Sequence, residues 1–356
     1  MKFKAAIYAE EGKPLIVDEV EVGDPGPGEV RVKIFASGIC HSQLHSYHKP
    51  KMPMPNLMGH EATGVVMAKG KEVTHLREGD HVMVTWLPRD ADESWPDKKP
   101  VDAGAGVRWR GDTSFMARDG IYTWSEVTQV HHQFVVHLPG EFPTDVTSFV
   151  GCAVMTGAGA VLNTAKVQQG QSVAVFGVGG VGISALNAAA VLGADPIIAV
   201  DIDDAKLDFA RKFGATHGIN ASSVDPVDAI QKITNGGVDY AFDAIGAHNT
   251  QLQIAQATRP GIFGVHDGGT AILMGLPKKE VSINLWKLVD RARIYRTSIG
   301  GSCRPDRDFP IFLDWFKRGL LKLDEMVTRR YSLDQANDAL EDLEKGRILG
   351  RSIIEF

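Results

Sequence analysis

At 356 residues the chain is too long for one hydrophobic core, and two domains are the natural division. Hydrophobic residues make up 44% and charged residues 23%, an ordinary globular balance. The 38 basic and 44 acidic residues leave a net charge of −6, which gives no electrostatic reason to expect nucleic acid or an anionic membrane as partner. The opening MKFKAAIYAEEGKP lacks the apolar core of a signal peptide. The most apolar later stretch, Ile183 to Val200, is broken by Asn187, Asp195 and Pro196. A soluble, cytoplasmic chain without membrane spans is expected. The three cysteines, Cys40, Cys152 and Cys303, are too few and too far apart for a disulfide framework, which leaves metal ligation, catalysis or simple burial.

In chain order, residues 1 to about 150 read as strands. Val30–Ala36, Ala62–Val66 and His81–Thr85 are β-rich runs between Gly/Pro turns such as Asp24-Pro25-Gly26-Pro27-Gly28. This predicts a barrel-like β domain. The polar stretch 88–112 reads as a long loop or lobe. From about residue 153, strands alternate with helices. The runs 172–177, 196–201, 237–246 and 270–276 read as strands, and 181–193 and 204–214 as helices. Such alternation implies a doubly wound parallel sheet. Helices near 309–319 and 333–345 and a final strand, RSIIEF, are expected to complete the first domain.

Two constellations carry chemistry. Gly177-Val178-Gly179-Gly180-Val181-Gly182 contains G-x-G-x-x-G between a strand and a helix. Gly177 allows the tight turn, Gly179 lets backbone approach a pyrophosphate, and Gly182 permits close helix packing. The helix N-terminus offers N–H groups to phosphate. Asp201, ending the next strand, can accept hydrogen bonds from ribose hydroxyls and would repel a 2′-phosphate, favouring NAD over NADP. Lys206 is one turn on. The second constellation is Cys40, His60 and Cys152, a thiolate-rich set suited to zinc with a fourth position open. Their separation in sequence leaves metal binding open on spacing alone.

The segments GICHSQLH (38–45), GHEATGVV (59–66), REGDHV (77–82), GCAVMTGAGA (151–160), VFGVGGVG (175–182), VDIDDAKLDFARKFGAT (200–216) and NGGVDYAFDAIG (235–246), closing with GRSIIEF, resemble in order the motifs of zinc-dependent medium-chain alcohol dehydrogenases. The resemblance implies an α/β fold: a GroES-like β-rich catalytic domain at 1–152, completed by 299–356, and a Rossmann cofactor domain at 153–298. It implies Cys40, His60 and Cys152 as zinc ligands, with Glu61 able to join the metal transiently. Ser42 and His45 match a proton relay that passes through the nicotinamide ribose. His41 and Arg351 match contacts to the cofactor pyrophosphate, and Thr156 and Val181 match residues behind the nicotinamide ring. Trp86 and Leu276 match the substrate pocket, with core packing as the competing role for each. The implied reaction is reversible transfer of hydride from a primary or secondary alcohol to NAD, giving an aldehyde or ketone. The alternatives are a non-redox zinc/NAD-binding lyase and a zinc-free reductase on the same scaffold. Relatives form homodimers or homotetramers, and Val281–Gly301 could supply the sheet edge.

The chain departs from these relatives twice. Many carry four clustered cysteines that bind a structural zinc; with no cysteine between Cys40 and Cys152, one zinc per chain is expected. The 88–125 lobe must then be held otherwise, for instance by packing of Trp95, Trp109 and Trp124. Gln43 stands where relatives have an aspartate that accepts from the ligand histidine; its neutrality should make His60 less electron-donating. Elsewhere His131-His132 resembles a metal pair, but neighbours on a strand point to opposite faces. His48 and His75 read as surface residues, and Cys303 as a packing residue.

Overall fold

The computed structural model describes residues 1–48, 54–90, 106–111, 116–117, 120–277 and 279–356. They form two compact units, one of Met1–Cys152, Arg304–Pro310 and Leu323–Phe356, the other of Ala153–Cys303 and Ile311–Lys322. Residues 299–303 and 311–322 thus lie in the second unit, whereas the resemblance implies all of 299–356 in the first. Side-chain tethers explain the difference. The Asn187 amide donates to the Leu320 carbonyl (3.0 Å) and accepts from Lys322 N–H (2.9 Å), while the Cys303 thiol donates to the Met155 carbonyl (3.4 Å).

The first unit is β-rich. β1 (Lys2–Tyr8) pairs with β2 (Ile16–Glu21) and with the short β4 (Asn56–Leu57). The long β3 (Glu29–Gly38) is the axis of the larger sheet. Its inward residues Val30, Val32 and Ile34 are fully buried while Lys33 is exposed, the period-2 pattern of a half-buried strand. On one side β3 pairs with β5 (Ala62–Lys69), which continues to β6 (His81–Val84). On the other side Glu29–Lys33 pair with β8 (Val127–His131), and Ala36–Gly38 pair with the C-terminal strand β17 (Arg351–Glu355). The last strand of the chain is therefore laid beside the residues that lead into Cys40. The fully buried Trp124 anchors a core cluster with Tyr8, Ile39, Leu44 and Met58. Trp109 donates to Asp18 (2.8 Å). Trp95 lies outside the described residues.

The second unit is a six-stranded parallel sheet. Its strands, in spatial order, are β12 (His217–Asn220), β11 (Ile197–Asp201), β10 (Val173–Phe176), β13 (Tyr240–Asp243), β14 (Thr270–Leu273) and β15 (Ile294–Thr297). In chain order this is 3-2-1-4-5-6, the doubly wound dinucleotide-binding arrangement. β10 is buried along its whole length, as a strand covered on both faces must be. Among the described residues no helix is long and apolar enough to cross a membrane.

One expectation fails in an informative way. His131 and His132 do not point to opposite faces: their ring centroids are 4.5 Å apart, tilted by 34°. β8 ends at His131 and a tight turn, His132–Phe134, begins there, so strand alternation stops between them. His75, also half-buried, lies with its ring 5.4 Å from that of His132. Burial first, then His131 and His75, push the His132 imidazole down to about 4 from 6.5. A base with a folded pKa below its unfolded one binds more protons when unfolded. Its contribution to stability is whole above pH 6.5 and is lost as pH falls from there towards about 4. Thermal midpoints measured between pH 7 and 4.5 should fall less steeply for His132→Gln than for the parent chain; equal slopes would remove His132 as the cause.

Candidate metal centre and cofactor turn

Two strand ends and a helical turn of the first unit, Val150–Val154, deliver the expected ligands to one place. β3 runs out through Ile39 to Cys40, the residue before α1 (His41–His48). His60 and Glu61 lie on the short link from β4 into β5. Gly59, just before them, has φ +93°, and a Cβ there would sit 2.4 Å from Thr123 Oγ1 and 2.6 Å from Trp124 N, so only glycine fits. Cys152 closes the set, with the Gly151 carbonyl accepting from the Thr85 hydroxyl (2.8 Å).

One donor atom from each of Cys40, His60, Glu61 and Cys152 lies within 4.8 Å of the others. The two sulfurs are 3.8 Å apart, and His60 Nε2 is 3.3 Å from Cys152 Sγ. Around a tetrahedral zinc ion two thiolates at about 2.3 Å stand about 3.8 Å apart, and a thiolate and an imidazole nitrogen about 3.5 Å apart. The donor set and its spacing both fit zinc. Among the described residues this is the one such group.

The electrostatics show how costly the cluster is to bury. The Cys40 thiol is pushed well below its ordinary value, chiefly by the hydrogen bond from Cys152, then by His60 and Arg351. The Cys152 thiol is pushed up by Cys40 and by burial. Glu61 is fully buried, and its carboxylate is paired with the buried guanidinium of Arg351. That guanidinium also lies 5.8 Å from the centre of the Phe149 ring. The resemblance assigns Arg351 to the cofactor; the structure also makes it the counter-charge of the ligand cluster. No sequence signal exposes this pairing, because the partners are 290 residues apart.

α1 carries the remaining expected residues. His41 is exposed, while Ser42 and His45 are half-buried. Spaced three apart, Ser42 and His45 share one helix face. The buried Tyr8 hydroxyl donates to the Tyr47 carbonyl near the helix end (2.7 Å) and accepts from Gly12 N–H (3.0 Å). The sequence reading missed this tether, since Tyr8 looks like any apolar strand residue. Trp86 packs against the core cluster of β3, β5 and β6.

In the second unit the glycine turn joins β10 to α3 (Gly180–Val191). A Cβ on Gly182 would stand 1.9 Å from the Gly177 carbonyl, so the helix approaches the strand at a distance only glycine tolerates, whereas space beside Gly179 is open. No side chain caps this helix at Gly179. Asp201 ends β11 beside the turn: one carboxylate oxygen accepts from Val178 N–H (3.0 Å), the other from Ile202 (2.8 Å) and Asp203 (3.2 Å) N–H. Lys206 is half-buried on α4 (Asp204–Arg211). Thr156, on α2 (Met155–Gly159), is 9% exposed, and the next residue, Gly157, lies against the Val181 carbonyl. Leu276 is 45% exposed.

Comparison with known proteins gives this geometry a family. Residues 26–140 match the family description "Alcohol dehydrogenase GroES-like domain", and residues 180–318 match "Zinc-binding dehydrogenase". The chain is 32% identical to an alcohol dehydrogenase class-3 of Cereibacter sphaeroides over 100% of both chains. It is 33% identical to an S-(hydroxymethyl)glutathione dehydrogenase of Paracoccus denitrificans, again over 100% of both. The chain belongs to the zinc-dependent medium-chain dehydrogenase family. Among solved structures, an alcohol dehydrogenase zinc-binding domain protein from Burkholderia ambifaria superposes with a TM-score of 0.92 at 30% identity, covering 100% of this chain and 99% of that one. A benzyl alcohol dehydrogenase from Acinetobacter calcoaceticus gives 0.88 at 29%, with the same coverage. The chain is accordingly an oxidoreductase of alcohol dehydrogenase type, and the two units are its GroES-like and Rossmann-like parts.

Proposed function

We propose that this protein is an NAD-dependent alcohol dehydrogenase that reversibly oxidises a primary or secondary alcohol to an aldehyde or ketone, with one zinc ion per chain. The observation that carries the reading is the 3.8 Å separation of the Cys40 and Cys152 sulfurs with His60 Nε2 beside them. When bound, zinc supplies a Lewis acid that polarises the substrate oxygen, while the nicotinamide accepts the hydride. Cys40, His60 and Cys152 would hold the ion, and Glu61, within reach of it, would be restrained by Arg351. The Ser42 hydroxyl would receive the proton released by the alcohol, and His45, one turn on, would carry it towards solvent. His41 and Arg351 are assigned to the cofactor phosphates, Thr156 and Val181 to the nicotinamide, and Trp86 and Leu276 to the substrate pocket.

Metal analysis of the purified protein should return one zinc per chain. Cys40→Ser and Cys152→Ser should lose both the metal and NADH formation across a panel of primary, secondary and aromatic alcohols and S-(hydroxymethyl)glutathione. Full turnover in a zinc-free Cys40→Ser protein would sink the ligand assignment.

For the cofactor, Asp201 is read as the acceptor for the adenosine ribose hydroxyls, with Lys206 on the same ribose. Asp201 also accepts from Val178 N–H, so its full removal would loosen the glycine turn as well. Asp201→Asn keeps an acceptor there and removes only the charge. It should raise the NADP-to-NAD ratio of kcat/KM about tenfold, or ~1.4 kcal/mol; an unchanged ratio would argue against this role.

The chain is further read as a homodimer or homotetramer. β15 is the last strand of its sheet, and Ile294 on it is exposed, as are Leu285, Trp286 and Val289 in the segment that leads into it. Light scattering should give a multiple of the chain mass that Trp286→Glu reduces. A monomeric parent chain would rule this out.

A further inference from the structure

The N-terminal end of α1 is built in an unusual way. Cys40 stands at the position before the first helical residue, where Ser, Thr, Asp or Asn ordinarily accepts from a backbone N–H of the first turn. Cys40 cannot do this, because its Sγ faces the ligand cluster, 3.8 Å from that of Cys152. Gln43, the third helical residue, acts in its place. Its Oε1 accepts from Cys40 N–H at 2.7 Å, and its own N–H donates to the Cys40 carbonyl at 3.0 Å. This is the reach-back half of a capping box, present without the half that the cap residue would supply. Gln43 is 4% exposed, and its Nε2 is buried with no hydrogen-bond partner among the described residues. A long polar side chain is thus held in the core, and its hydrogen bond is to a residue that bears a metal-binding thiol.

We infer that Gln43 is a positioning residue for the metal centre and that it acts through Cys40, by fixing the backbone from which the thiol is projected. The inference rests on the metal reading of the site given above. Two bonds across the Cys40–Gln43 turn restrict the Cys40 backbone dihedrals and so the direction of its Cα–Cβ bond. A thiol aimed in advance loses less conformational freedom when it ligates, and releases its ion more slowly. The aspartate of related chains acts on the ligand histidine by accepting its ring N–H. Here the oxygen of Gln43 serves the cysteine segment instead, a different connection from the same helix position.

The test is the rate at which zinc passes from the purified, zinc-loaded protein to an excess of a colorimetric chelator, read by absorbance without substrate or cofactor. Gln43→Met fills similar space but has no acceptor, and Gln43→Asn is polar but one methylene too short to reach. Both should release zinc about tenfold faster or more, the scale seen when groups supporting a metal ligand are removed. Gln43→Glu keeps an oxygen for Cys40 N–H and should release zinc near the parent rate. A role in helix stability alone would move the unfolding midpoint of the metal-free protein and leave release unchanged. Unchanged release from both Gln43→Met and Gln43→Asn, or release from Gln43→Glu as fast as theirs, would overturn the assignment. A parent protein that retains no zinc would overturn the underlying metal reading before any variant is compared.

Discussion

The first unit is organised around the meeting of two thiols, an imidazole and a carboxylate within 4.8 Å, all in or beside the core. Two thiols and a carboxylate, which tend to negative charge, do not gather out of water unless something opposes them. Here the opposing charge within the chain is Arg351, buried and paired with Glu61. It sits at the start of the last strand, so the cluster depends on the C-terminus returning to lie along β3. The opposed shifts of the Cys40 and Cys152 thiols express the same conflict, the cost of two negative charges side by side out of water.

That constraint explains why Cys40, His60 and Glu61 emerge at strand ends. β3 and β5 run antiparallel with Ser37 opposite Ala62, which brings the residues after β3 beside those before β5. The backbone of Glu61 is fixed from several directions: its carbonyl accepts from the Ser37 hydroxyl (2.9 Å), from Gly38 N–H (3.2 Å) and from the Thr123 hydroxyl (3.3 Å). A ligand held by ladder bonds and buried hydroxyls has little freedom to lose on binding. Helix α1 extends the arrangement, since one short element starts at a ligand and carries Ser42 and His45, with Gln43 at one end and Tyr8 at the other.

The second unit meets a milder requirement, to present backbone N–H groups where a helix begins. Close approach at Gly182 and open space at Gly179 achieve that without a charged side chain. Asp201 both braces the turn and offers its carboxylate there. The first unit thus concentrates charge and must neutralise it, while the second arranges dipoles.

Much of this was legible in the sequence because the controlling signals are local. The alternation of Val30, Val32 and Ile34 and the strand–Gly-x-Gly-x-x-Gly–helix series follow from residue spacing within one or two neighbouring elements, and the ligand motifs from their resemblance to those of known relatives. Other features depend on chain segments far apart. His131 and His132 came together because the strand ended between them, a boundary that pairing sets and composition does not. Residues 311–322 joined the second unit because the Asn187 amide tethers Leu320 and Lys322. The sequence by itself determined the element types and the glycine turn, since each is set by neighbours a few residues away, while the candidate ligands were named by the resemblance of whole motifs. Tertiary structure alone decided that Arg351 answers Glu61 and that the oxygen of Gln43 meets Cys40 N–H. Contacts of that kind are fixed by strand pairing and burial, and residues hundreds of positions apart carry no local trace of them.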